Sequence, residues 1–160
     1  MSDILTKKLV KEAIALSLPT IRLLVKAATW GPLGLAIGVE NVNILGYQVL
    51  YVMEELGPKD KWAELYGKDI DFEKIVQQKL ATARLGFDSH LVVSEEPWLI
   101  HNGCSFYQGA AVSPSGKLRV ATSGAFGTTD YRCAKIIMEI IGALCSREIQ
   151  KLEDQNIHVF

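Results

Sequence analysis

The chain has 160 residues, enough for one hydrophobic core and too few for two comfortable domains, so residues 1–160 read as a single domain. Its 17 Lys and Arg stand against 18 Asp and Glu, which leaves no charge excess to neutralise a phosphate backbone and excludes general nucleic-acid binding. An apolar fraction of 49% excludes a disordered chain.

The chain opens with a helical pattern: Leu5, Leu9, Ala13 and Leu16 share one face. Lys7, Lys8, Lys11 and Glu12 interrupt any apolar stretch there, so no secretory leader is expected. Pro19 either kinks one long helix or starts a second one running to Ala28. The cluster Trp30-Gly31-Pro32 ends the segment. The uncharged run at 27–39 is broken by Gly31, Pro32 and Gly34. It also falls short of the roughly 20 apolar residues that a span requires, and no membrane partner is expected.

Residues 33–40 and 47–53 read as strands joined by the turn chemistry of Asn41 to Gly46, a hairpin that Gly57-Pro58 closes. A helix is expected over 72–85, capped by Asp69 or Asp71, with Phe72, Ile75, Val76, Lys79, Leu80 and Ala83 at helical spacing. Residues 90–93 read as a short strand, and 98–100 as a helical turn or strand. Residues 105–112 and 117–122 read as a second hairpin across Ser113-Pro114-Ser115-Gly116. Residues 128–151 form a long amphipathic helix with an apolar stripe from Tyr131 through Ala134, Met138 and Ile141 to Cys145, capped by Thr128 or Thr129. The order places helices over an antiparallel sheet, an α+β domain. The strand pairs are joined too closely for parallel crossovers.

No phosphate loop, nucleophile elbow or zinc-helix motif is present. Cys104, Cys133 and Cys145 are odd in number and lack close pairing, as expected of reduced thiols in a cytoplasmic protein. The apolar share is large for so short a chain, which points to a homo-oligomer.

Three groups could carry chemistry. His101 lies in a polar loop entering a strand, where an imidazole can be an axial ligand to haem iron or a general base, or a loop residue bonded to backbone. Lys79 and Thr82 share a helix face while Arg84 diverges. A cation bordering apolar Ile75 and Val76 either binds a ligand carboxylate or lays its stem on the core. Ser123, Thr128 and Asp130 surround a helix start, which serves as a small anion site or as plain capping.

Lys79, Thr82 and Ala83 on the middle helix, followed by Ser123-Gly124-Ala125 and by Asp130, resemble the GlcG/HbpS-like haem-binding (haem-degrading domain) family. The segment from His101 to Phe106 is similar to that of a sister group of uncharacterised small proteins. The resemblance implies a profilin-like fold, an antiparallel sheet with helices on both faces, assembled as a homo-oligomer. It implies a small-molecule ligand, haem or another tetrapyrrole, with His101 as the axial ligand to the iron. Lys79 or Arg84 would meet a propionate, and Thr82, Ser123 and Asp130 would line the same site. Two other readings stand beside it. One is an enzyme on a small metabolite using Lys79, His101, Ser123 and Asp130. The other is a structural oligomer that docks partners through its tail at 153–160.

Overall fold

Alternation along the first strand decides the layering. In β1 (Leu35–Val42), Leu35, Ile37 and Val39 point into one core, shared with helices α1 (Lys7–Ala28) and α4 (Gly127–Asp154). Ala36 points the other way, into a second core built on helix α2 (Phe72–Ala83) with Ala110 and Ala121. The computed structural model describes residues 3–28, 35–57, 70–105, 107–125 and 127–155. Their α+β arrangement, a four-stranded antiparallel sheet with helices on both faces, is the expected one.

β1 pairs with β2 (Gln48–Leu56), and β3 (Ala110–Val112) pairs with β4 (Leu118–Ser123). β1 also lies antiparallel to β4, so the order is β2-β1-β4-β3. The first turn is set by Asn43, whose Oδ1 accepts the backbone N–H groups of Leu45 and Tyr47, both at 3.0 Å. The second is set by Ser113 and Gly116, as the sequence suggests. α2 presses so closely on β1 that a Cβ at Gly38 would lie 2.5 Å from Val76 Cγ1.

Several boundaries differ from expectation. Of the two alternatives at Pro19, one long helix is what forms: α1 continues through the proline, because Val10, Ile14, Ile21 and Val25 dock both sides of it on the core. Leu16, placed on the apolar face by its spacing, is 54% exposed, and Ser17 takes the inward position. Residues 90–93 are not a strand. They lie in helix α3 (Ser89–Glu95), where Ser89 Oγ accepts the N–H of Ala110 at 3.0 Å and Val92 is buried. Local β-branched character yields there to packing on β3. Pro97–Leu99 forms a 3₁₀ turn. The strand expected over 105–112 is confined to Ala110–Val112, because Thr82 pins Ser105 and Gly109 turns with φ +130°. Asp71 caps α2 by accepting the N–H of Lys74 at 3.0 Å. α4 begins at Gly127, so Thr128 and Thr129 sit inside its first turn rather than ahead of it.

The break at Trp30-Gly31-Pro32, Pro58, the alternative cap Asp69 and the end of the tail at 156–160 lie outside the described residues. No helix among the described residues is long and apolar enough to cross a membrane.

Candidate functional site

Lys79 lies on the buried stripe of α2 and is 1% exposed. The sheet beneath it offers small residues, Ala110 and Ala121, and Gly109 stands where its ammonium arrives. The Nζ donates to the carbonyl of Thr122 at 2.8 Å and to Asp130 Oδ2 at 2.9 Å. Asp130 comes from the first turn of α4 and is 2% exposed. Its other oxygen accepts the N–H of Ala125 at 3.1 Å, and Thr122 Oγ1 donates to the Asp130 carbonyl at 2.7 Å. One ion pair therefore fastens α2, the end of β4 and the start of α4 together.

Burial governs the electrostatics of this pair. Loss of hydration pushes the Asp130 carboxyl up to about 6, against the opposing pull of the Lys79 charge and the Ala125 and Gly124 amides. The same loss lowers Lys79 below the ordinary lysine range, with Asp130 resisting. A carboxyl poised near neutrality beside a softened ammonium can hold or pass a proton.

The pair borders a cleft of about 190 Å³, walled on one side by Ile70, Phe72 and Ile75 and on the other by Tyr107, Gln108 and Ser123. An ammonium has three donors. Among the described residues two of the three on Lys79 have partners, and Lys79 is one of the residues lining the cleft.

The six residues singled out from the sequence fall into different places. Lys79, Ser123 and Asp130 meet at the cleft. Thr82, one turn along α2, is buried and fastens the 101–105 loop. Its hydroxyl accepts the N–H of Ser105 at 2.9 Å and lies 3.1 Å from the Ser105 carbonyl. His101 does not line the cleft. It is exposed together with Asn102 and Gly103, with Nδ1 2.9 Å from the Asn102 carbonyl and Nε2 3.8 Å from Cys104 Sγ. No group of three or more metal-ligating side chains occurs among the described residues.

Arg84 belongs to a second cluster. Its guanidinium forks onto Glu40, with Nε at 3.1 Å from Oε2 and Nη2 on Oε1. Glu40 is fully buried and also accepts from Arg119 Nη1 at 3.3 Å and Gln48 Nε2 at 2.7 Å. Burial alone would raise its carboxyl. The Arg84 fork, Gln48 and Arg119 outweigh that and hold it below the usual carboxylate range. Glu40 and Gly109 are the participants that sequence reasoning missed. A signal for Glu40 existed: it continues the alternation of Ala36 and Gly38, a charge placed on an inward-facing row.

No protein-family model matches the chain, and no curated protein matches it in sequence. Among solved structures, one described as the crystal structure of HbpS is similar over 88% of this chain and 92% of that chain, with 15% identity and a TM-score of 0.47.

Proposed function

We propose that the protein is a small-molecule-binding module whose ligand occupies the cleft beside Lys79 and Asp130. The observation that carries this reading is a buried lysine, with partners for two of its three donors among the described residues, that lines that cleft. The Lys79–Asp130 pair has no net charge, so the fitting ligand is neutral or singly charged and offers an acceptor oxygen. Ile70, Phe72 and Ile75 receive its apolar part, and Ser123 adds a hydroxyl. The volume of about 190 Å³ lies below the roughly 300–1,000 Å³ typical of drug-sized ligands. It favours a ligand of a few heavy atoms over the tetrapyrrole that the sequence resemblance implies.

Titration of the ¹⁵N-labelled protein with acetamide and with acetate tests the reading. Saturable shifts at the amides of Ser123, Ala125 and Gly127, weakened in Ser123→Ala, are expected. Hemin added to the same protein is expected to give no Soret band that depends on His101. Absence of shifts at the cleft, or a Soret band lost in His101→Ala, would overturn the assignment, the latter by placing a tetrapyrrole at the loop.

We also propose that the chain self-associates. Ile44, Leu45 and Tyr47 at the β1–β2 turn and Val49 on the adjoining strand are each more than half exposed, a cluster of apolar surface that a second copy can cover. Light scattering on the eluting protein is expected to report a multiple of the chain mass, and a Leu45→Glu/Val49→Glu variant a smaller one. A monomeric mass for the unmodified protein removes this reading.

A further inference from the structure

A second cleft, of about 330 Å³, opens at the far end of α2, lined among the described residues by Gln48, Tyr51, Gln77, Leu80 and Arg84. We infer that it is a separate binding site for a small oxyanion, a carboxylate or phosphate group. The inference rests on a charge and donor count around Glu40 and is independent of the reading of the first cleft.

The sheet register brings the cluster together. Tyr51 on β2 and Arg119 on β4 are both direct cross-strand partners of Glu40 on β1, so one polar row crosses three strands beneath α2. Arg84, the residue that closes α2, reaches down to that row. Two guanidinium groups meet one carboxylate, leaving one positive charge in excess. Both oxygens of Glu40 are already engaged by Arg84, Arg119 and Gln48, so the carboxylate has little capacity left for further donors.

Donors, by contrast, remain. Tyr51 lines the cleft, and its Oη is buried without a hydrogen-bond partner; Arg119 Nε is also unpartnered, but Arg119 is not among the described lining residues. Buried polar atoms rarely stay unpaired, because each one costs desolvation without return. Arg84 uses only Nε and Nη2 on Glu40 and is half exposed toward the cleft. Gln48 and Gln77 add amides to the rim, and no Asp or Glu is among the lining residues. A cavity with surplus positive charge, an orphaned hydroxyl and no carboxylate among its described lining residues complements an oxyanion, which a guanidinium edge meets with paired hydrogen bonds.

The test is a titration of the full chain with inorganic phosphate at constant ionic strength, read by the ¹⁵N shifts of the Arg84 side chain and the Gln77 amide. Saturable binding is expected. Tyr51→Phe deletes only the orphaned hydroxyl and should weaken that binding about fivefold, the effect of one lost hydrogen bond. The same variant should melt at or above the temperature of the unmodified protein without phosphate, which shows that weaker binding is not unfolding. Ser123→Ala, at the other cleft, should bind phosphate unchanged. Acetate displacing phosphate identifies a carboxylate ligand, and phosphate binding that acetate leaves intact identifies a phosphate ester; either supports the site. No saturable binding of phosphate or acetate, or equal affinity in Tyr51→Phe, overturns it.

Discussion

At pH 8 the Lys79→Met variant is expected to lose about 3 kcal/mol of stability, a large part of what a domain of this size possesses. The loss comes less from the missing attraction than from what is left behind. Asp130, 2% exposed, would be left in a dry site where only backbone amides support its charged form, so it must either hold an uncompensated charge or take up a proton. Its carboxyl already sits at about 6 with Lys79 present, and removing that cation drives it higher. The pH dependence follows in sign. Below the ordinary aspartate value of 3.8, the carboxyl is neutral both folded and unfolded, and the electrostatic part of the penalty vanishes. As pH rises, the unfolded chain releases the proton first, so stability falls through the folded-state value and then levels off. The unmodified protein, with Asp130 at about 6, loses stability along the same slope up to that pH, so urea unfolding should show a gap that is flat between about pH 3.5 and 5 and widens from about pH 6 to 8. Adding Asp130→Asn should close most of the gap at pH 8. A penalty independent of pH, or one that Asp130→Asn deepens, would refute the account.

Gly109→Ala is expected to be nearly as damaging, at about 3–5 kcal/mol, by a steric route. The backbone at Gly109 has φ +130°, which residues with a side chain rarely adopt. A Cβ there would meet Lys79 Nζ at 2.7 Å, Asp130 Cβ at 2.8 Å and the Thr122 carbonyl at 2.8 Å. Lysine can bend aside, but the Thr122 carbonyl is strand backbone and also accepts from Lys79. Gly116 supplies the comparison. Its φ is also positive, +73°, yet nothing lies within 4 Å of its missing side chain. Gly116→Ala therefore carries backbone strain alone, about 1 kcal/mol. Thermal melts of the two variants should separate by well over the shift of Gly116→Ala itself. Equal melting temperatures would mean that the close approach at Gly109 has no energetic weight.

The parts of the fold that were legible are those where local periodicity and tertiary demand agree. The two turns, with Asn43 and Gly116 in place, and the stripes of α2 and α4 follow directly from spacing. Helical spacing also separates Lys79 from Arg84, and the two do end in different clusters. What spacing leaves undecided is the fate of Lys79, since a cation on an apolar stripe can equally lay its stem along the core or be buried whole. Burial is decided by Asp130, 51 positions away, and by the room at Gly109. The failures have the same origin. Residues 90–93 carry strand-forming valines, but Ser89 docks the segment on Ala110 as a helix. The strand expected from 105 begins only at 110, because Thr82 holds Ser105 from another element. The candidate site follows this pattern: residue types stand out in the chain, while their partners are known only from the fold.

The central seam of the sheet joins strands from opposite ends of the molecule. β1 finds one neighbour a turn away, but the other is β4, and Glu40 and Arg119 stand 79 positions apart. Closing so long an intervening loop must precede any reward from the contacts it enables, which slows folding relative to a chain of local contacts. During synthesis the first hairpin emerges with a bare inner edge and a carboxylate neither of whose arginines, Arg84 and Arg119, has yet been made. That hairpin and α1 cannot complete their core until the last strand and last helix arrive. The nascent segment thus carries an open strand edge to shield from the time β1 is made until β4 arrives.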